Sequence, residues 1–143
     1  MTDVFIDTDV FIDYLTDRKP FSDDAEQLFG LIESGKIRGH VSSVCFSNLY
    51  YLINHHISGA RTVALLRDLA GVVNILKVDK ETIHLALESD FRDFEDAIQF
   101  YAAAAFKRMD LIITRNTKDF KHASLPVMTP NTLLKSLQQA NDR

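Results

Sequence analysis

The acidic residues of this sequence fall into groups that predict a site for a hard cation. Asp7 and Asp9 follow the apolar run "VFI", and Asp93 and Asp96 lie three residues apart in "RDFEDA". Carboxylates that converge repel one another unless a cation neutralises them. Oxygen ligands suit Mg²⁺ or Mn²⁺, which keep several waters and bridge protein acids to a phosphate. Such an ion activates water against a phosphodiester, so these acids are typical of phosphodiester hydrolysis.

Each of these acids also has a structural interpretation. Asp7 and Asp93 stand where an acid caps the helix that follows. On the helix that begins near "DFEDA", the apolar residues lie nearer Asp93 than Asp96, so helical spacing ranks Asp93 as the more inward acid. The same spacing directs Glu95 toward solvent, and it places Asp13 on the polar side of the first helix.

The elements that must position the acids alternate along the chain. Short apolar runs typical of buried strands are separated by longer helical patterns: the runs are "DVFID", "IRGHVSS", "VVNILKV" and "DLIITR", with "PVM" as a weak edge strand. This alternation implies right-handed crossovers and helices on both faces of the sheet. We predict a three-layer α/β/α fold with a mostly parallel four- to five-stranded sheet. No linker or repeat divides the chain, so residues 1–143 are expected to form a single domain.

Ligands of such a sheet bind beyond the carboxyl ends of its strands. The candidate residues that follow strands at this edge are Asp7, Thr8, Asp9, Ser43, Thr114, Arg115, Asn116 and Asp119. Asp93 and Asp96 open the helix that leads into the "LIIT" strand. We therefore expect these polar side chains to converge.

Composition leaves the class of partner open. The net charge of −4 at pH 7 neither requires nor excludes a nucleic-acid partner. Cys45 is the only cysteine and lies among apolar residues, which predicts a buried thiol and a reducing, cytoplasmic location. No secretory signal or bilayer-spanning run is present, so we expect no membrane attachment. The adjacent His55 and His56 do not share a helix face, and no zinc site is predicted.

Four motifs, in this order, resemble the PIN domain, a nuclease fold used by VapC-type toxins of bacterial toxin–antitoxin pairs and by RNA-processing enzymes. The motifs are "FIDTDVFIDYL", "VSSVCFSNLYYLI", "EDAIQFYAAAA" and "LIITRNTKDF", and the resemblance covers nearly the whole chain. It implies a metal-dependent endoribonuclease that hydrolyses RNA with Mg²⁺ or Mn²⁺. It also implies a small antitoxin protein as partner, and homodimers are common in the family.

The resemblance assigns roles to individual residues. Asp7 and Asp96 match two metal-binding acids of the family. Asn48 and Asn116 stand where the family usually has acids. An amide oxygen still ligates a metal or a metal-bound water but adds no charge, so we expect weaker Mg²⁺ binding than with four acids.

Neighbouring residues supplement this set. Asp93, Asp9 and Asp119 are substitute acids, although Asp119 has an equally good interpretation as the cap of the turn "TKDF". Thr8, Ser43 and Thr114 are predicted to orient ligands or waters. Arg115 and Lys118 are predicted to steer an RNA phosphate toward the metal, while other basic residues nearby are expected to face solvent.

Two other functions stay open at this point. The amides at Asn48 and Asn116 favour a PIN-like module that binds RNA or protein without cutting it. The run "DTDVF" also approaches the strand-end motif of haloacid-dehalogenase-like phosphatases. In that motif Thr or Val is expected where this sequence has Phe11.

Overall fold

The computed structural model of the protein describes residues 2–142. They contain a five-stranded sheet with the strand order β3-β2-β1-β4-β5. The strands are β1 (Thr2–Ile6), β2 (Ile37–Ser42), β3 (Asn74–Leu76), β4 (Leu111–Ile113) and β5 (Val127–Met128). Every pair of neighbouring strands is parallel. The predicted parallel sheet is thereby confirmed, with five strands.

Helices connect the strands as the sequence predicts. They are α1 (Thr8–Leu15), α2 (Ser22–Glu33), α3 (Ser43–Ile53), α4 (Gly59–Ala70), α5 (Lys80–Leu87), α6 (Phe94–Ala105) and α7 (Pro130–Asn141), with a short 3₁₀ helix at Thr117–Phe120. Pro130 occupies the first turn of α7, where its missing N–H has no intrahelical partner to lose. Within residues 2–142, no helix is both long enough and apolar enough to cross a bilayer.

Alternate residues of the central strand β1 pack into opposite layers. Val4 and Ile6 belong to the core shared with α1, α2, α3, α4 and α7, whereas Phe5 packs with α6 on the other face. All three side chains are fully buried. Because successive side chains of a strand point to opposite faces, this alternation confirms the three-layer α/β/α fold.

A close approach between α2 and β2 depends on Gly39. A Cβ atom at this position would lie 2.8 Å from Cδ1 of Ile32 and 3.3 Å from Cδ1 of Ile6. The absent side chain therefore lets α2 pack directly against the sheet.

A buried charge network ties the amino ends of β1 and β2 together. Asp3 is 3% exposed and accepts hydrogen bonds from Arg38 Nε at 2.9 Å and His40 Nε2 at 2.8 Å. Burial raises the pKa of Asp3, but the bonds and charges of these two partners outweigh it and hold that pKa below its ordinary value. The network lies at the start of the strands, away from the edge where ligands are expected.

Candidate active site

The direction of chain progression reverses between β1 and β4. The chain runs outward from β1 through β2 to β3, and then returns to β4 on the other side of β1. Open parallel sheets bind ligands at this point, beyond the carboxyl ends of the strands. Asp7 directly follows β1 and Thr114 directly follows β4, and the Asp7 N–H donates to Ile113 O at 2.9 Å. The two predicted residues thus meet at the switch point.

Asp7 is both a helix cap and a buried acid. Its Oδ1 accepts from the Thr8 N–H, capping α1, and its Oδ2 accepts from the Thr114 hydroxyl, each at 2.8 Å. Only 8% of the residue is exposed. Burial raises the pKa of Asp7, the two hydrogen bonds oppose this effect, and the charges of Glu95 and Asp119 raise the pKa further. Capping therefore does not exclude a chemical role for this carboxylate.

Asp96 faces the same acids from α6. The side chain is partly buried, and its pKa is raised to about 7, first by burial and then by the charge of Asp7, with Asp93, Asp119 and Glu95 adding to the effect. The charge of Asp7 thus acts on Asp96 across the switch point.

Asp93 behaves as a cap. It precedes α6 in an extended conformation, it is exposed, and its Oδ1 accepts from the Asp96 N–H at 2.9 Å. The prediction that Asp93 is the more inward of the two acids is wrong. A helical wheel does not describe a residue that lies before the first helical turn.

Glu95 is exposed, as helical spacing predicts, and it also contacts a neighbouring helix. Its Oε1 accepts from Asn48 Nδ2 at 2.7 Å, which joins α6 to α3. Burial and the charge of Asp93 raise the pKa of Glu95, against the effect of the Asn48 hydrogen bond. The contact spans 47 residues of sequence, so spacing along one helix carries no signal of it.

Asp9 holds the segment that follows β4. Its Oδ2 accepts from the Arg115 N–H and from Asn116 Nδ2, both at 3.3 Å. Burial and the neighbouring Asp7 charge raise the pKa of Asp9 to about 7, with Arg115 opposing them. Asn116 therefore directs its amide at Asp9, and its backbone N–H donates to the Thr114 hydroxyl oxygen at 3.1 Å.

Arg115 is directed inward rather than toward solvent. Its Nε donates to Asp13 Oδ2 at 2.6 Å, and its guanidinium carbon lies 4.2 Å from the centroid of the Phe21 ring. The prediction that Asp13 occupies the polar side of α1 is wrong, because the residue is only 1% exposed. This ion pair commits the Arg115 Nε and favours a structural role over the predicted phosphate contact.

The 3₁₀ helix brings a further acid to the site. Asp119 is exposed, and its charge raises the pKa of both Asp7 and Asp96. The residue that precedes this turn is Asn116, and no side chain caps it. Lys118 lies on the same turn and is exposed.

Thr8 connects three elements beneath Asp7. Its hydroxyl donates to Cys45 Sγ at 3.4 Å and accepts from Gln99 Nε2 at 3.1 Å. Cys45 is buried as predicted, and burial raises the pKa of its thiol to about 12. Gln99, which the sequence analysis overlooked, is 1% exposed. Ser43 is exposed at the start of α3, and the preceding serine caps that helix.

The donor set fits a hard divalent cation held partly by water. Among residues 2–142, no three His, Cys, Asp or Glu side chains form a ready-made metal cage. Mg²⁺ does not need one, since it is usually bound through one or two carboxylates and keeps several waters. Burial is the main cause of the raised pKa values of Asp7 and Asp96, and the neighbouring acids raise them further by a repulsion that a cation would relieve. Asp9 Oδ1 and Gln99 Oε1 are buried without a hydrogen-bond partner among the described residues, so the site has unused oxygen acceptors.

An apolar groove opens beside the acids. Its volume is about 860 Å³, and Thr8, Asp9 and Arg115 lie on its wall. The other lining residues come mainly from α1, α3 and α4: they include Ile12, Leu15, Leu52, Ile53, Ile57 and Leu65.

Comparison with known proteins agrees with this fold. The PIN domain family model matches residues 3–118. The chain therefore belongs to the PIN domain family, which confirms the resemblance noted in the sequence and sets aside the haloacid-dehalogenase-like alternative. No curated protein matches the sequence.

Several solved structures share the fold. A toxin–antitoxin complex from Klebsiella pneumoniae is 25% identical with a TM-score of 0.64, over 89% of this chain and 97% of the other. The DNA-bound VapBC from Salmonella typhimurium is 16% identical with a TM-score of 0.67, over 91% and 99% of the two chains. VapC20 from Mycobacterium tuberculosis, a toxin that cleaves the sarcin–ricin loop, is 19% identical with a TM-score of 0.60, over 76% and 86%.

Proposed function

We propose that this protein is a metal-dependent endoribonuclease of the VapC type, which hydrolyses RNA phosphodiester bonds with Mg²⁺ or Mn²⁺. The observation that carries the proposal is a buried acid, Asp7, at the switch point of a PIN fold, surrounded by the charges of Asp96, Glu95 and Asp119. Buried carboxylates that repel one another at the ligand-binding edge of a sheet are typical of a cation site. The similarity to VapC20 is consistent with RNA as the substrate.

Asp7 and Asp96 would hold the ion, and Asp119 would add charge beside them. When bound, the ion supplies an activated water and neutralises charge on the phosphodiester. The Thr8 N–H and the Thr114 hydroxyl fix both oxygens of Asp7, so this carboxylate is oriented before any ligand arrives.

Residues around the acids would support them. Asn116 holds Asp9, and Asn48 holds Glu95, so both amides act through a carboxylate. Asp93 caps the helix that carries Asp96. Lys118 is free to attract a phosphate, since its side chain is exposed on the turn next to the site.

A small antitoxin protein is the proposed partner. The similar structures include toxin–antitoxin complexes from Klebsiella pneumoniae and Salmonella typhimurium. The apolar groove of about 860 Å³ adjoins Thr8 and Asp9, so a segment seated there would lie against the acids and obstruct RNA. Homodimers and a cytoplasmic location, where RNA substrates are found, stay predictions.

Cleavage of RNA by the purified protein tests the proposed function. Total bacterial RNA and a sarcin–ricin loop hairpin should be cut in the presence of Mn²⁺ or Mg²⁺ and should stay intact with EDTA. Asp7→Asn should lower the rate by about 100-fold or more, because it removes the most buried acid of the site. Asp68→Asn is the matched control, since Asp68 is an exposed residue of α4.

Equal rates for the unchanged protein and Asp7→Asn would reject the assignment of Asp7. RNA binding without cleavage at any metal concentration would favour the non-catalytic module.

A further inference from the structure

The contact between α3 and α6 places the Glu95 carboxylate beside Asn48, the amide that the sequence predicts as a metal ligand. Asn48 was predicted to be a metal ligand, but its Nδ2 donates to Glu95 Oε1 at 2.7 Å. The hydrogen bond occupies one oxygen of Glu95, and the other oxygen, Oε2, forms no hydrogen bond within residues 2–142. The acid therefore comes from α6, and the residue on α3 holds it.

The charge of Glu95 acts on the same acids that form the candidate site. Burial is the largest cause of the raised pKa values of Asp7, Asp96 and the Cys45 thiol, and the charge of Glu95 adds to each. Glu95 is exposed in the first turn of α6, and its contact with Asn48 directs one carboxylate oxygen toward α3. A carboxylate near these acids adds to the electrostatic attraction for any cation that Asp7 and Asp96 bind.

The surroundings of Glu95 leave it accessible to a ligand. A cleft of about 370 Å³ is lined by Glu95, Asn48 and Thr8, together with Ser47, Tyr51 and Leu52. Thr8 also lines the apolar groove, and its backbone N–H donates to Asp7. The cleft that Glu95 lines therefore reaches Thr8, the residue that follows Asp7 and donates to its carboxylate.

The chemistry of the pair explains why position 48 carries an amide. An Asn donates a hydrogen bond to the carboxylate, whereas an acid at this distance would repel it. Either residue can supply the acid, but not both at once without a cation between them.

We propose that Glu95 is a metal-ligating acid of this site and that Asn48 is its positioning residue. The proposal rests on the metal-dependent activity proposed above. It assigns the charge that Asn48 lacks to a residue of the neighbouring helix. The partner in question is the divalent cation itself, bound either directly or through one of its waters.

Binding of Mn²⁺ to the metal-free protein tests the proposal without relying on cleavage. Free Mn²⁺ is measured by electron paramagnetic resonance during titration of four proteins: the unchanged chain, Glu95→Gln, the exchange variant Asn48→Glu/Glu95→Gln, and the control Glu88→Gln. Glu88 is an exposed acid at the end of α5, and its side chain forms no hydrogen bond or ion pair within residues 2–142. Glu95→Gln should weaken Mn²⁺ binding about tenfold or more, and the exchange variant should recover most of it.

Thermal unfolding in EDTA gives a second readout that a purely structural role would not produce. Gln still accepts the hydrogen bond from Asn48, and it removes one negative charge from a repelling cluster. The metal-free Glu95→Gln protein should therefore melt at the same or a higher temperature, while the increase in Tm on adding Mn²⁺ becomes smaller.

The outcomes separate this proposal from the proposed function. Unchanged Mn²⁺ affinity in Glu95→Gln, or no Mn²⁺ binding by the unchanged protein up to millimolar concentrations, would overturn the assignment of Glu95. A lower Tm for metal-free Glu95→Gln with no recovery in the exchange variant would also overturn it. Glu95-dependent Mn²⁺ binding in a protein that cuts no RNA would support Glu95 as a ligand and reject the nuclease.

Discussion

The buried ion pair between Asp13 and Arg115 makes a quantitative prediction. Arg115→Gln should destabilise the protein by about 3–5 kcal/mol, because it leaves the Asp13 carboxylate buried without its partner. The side chains of Arg115 and Asp13 are 19% and 2% exposed, and Nε and Oδ2 lie 2.6 Å apart. The acid is therefore the member of the pair that cannot reach water.

The magnitude follows from this asymmetry. At an effective dielectric constant of about 20, two unit charges at this separation attract with about 6 kcal/mol, most of which offsets the cost of removing both from water. The Arg115→Gln variant also loses the stacking of the guanidinium on Phe21, which is worth about 1 kcal/mol. Asp13→Asn should cost less, about 1–2 kcal/mol, since Arg115 keeps the stacking and is partly solvated. The double variant should be more stable than the sum of the two changes predicts, by about 2 kcal/mol.

Urea unfolding at pH 7 of the unchanged protein, both single variants and the double variant gives this coupling energy. Arg108→Gln is the control. Arg108 is exposed, its guanidinium carbon lies 5.5 Å from the centroid of the Phe106 ring, and it forms no ion pair in the described residues. If Arg115→Gln lost no more stability than Arg108→Gln, the pair would not be the buried clamp inferred here.

Three other predictions concern charge and the groove. Asp9 and Asp96 have pKa values of about 7 in the fold against an ordinary 3.8. Between about pH 4 and pH 7 the folded state therefore binds more protons than the unfolded state. The metal-free protein should lose stability as the pH rises through this range. Urea unfolding in EDTA measures the free energy of unfolding at each pH. Asp9→Asn should flatten its decline with pH, and a free energy of unfolding that rises with pH would contradict the prediction. Asp3→Asn should cost about 1–3 kcal/mol at pH 7. Because the folded pKa of Asp3 is lowered, the difference should shrink as the pH falls below about 4 in the same measurement. Leu52→Glu in the groove should weaken binding of the proposed antitoxin partner about tenfold or more in calorimetry. Val63→Glu, similarly exposed but outside the groove, should not.

Elements with strong local patterns were predictable from the sequence. The apolar runs around Val4, Val41 and Ile112 are strands in which these three residues are fully buried, and the helical patterns between them are the observed helices. The rule that ligands bind at the carboxyl edge of a parallel sheet then selected Asp7 and Thr114, which are in contact. These features depend on periodicity and on the order of the elements, both of which can be read from short stretches of the sequence.

Partners of individual side chains were not predictable in the same way. Asp13 was assigned to solvent because its charge was judged within one helix, and its partner Arg115 is 102 residues away in sequence. The Asn48 contact of Glu95 was missed for the same reason, since Asn48 belongs to another helix.

The sequence by itself determined the layers of this protein, the edge of its sheet that carries the acids and the residue types at that edge. Tertiary structure alone decided which acids face one another and which hold the backbone. The reason is physical: hydrophobic periodicity acts over a few residues, whereas the orientation of a carboxylate depends on donors that packing brings from distant strands and helices. The motif that contains Asp7 thus predicts a site, and the contacts of Glu95, Asp9 and Arg115 define how it is built.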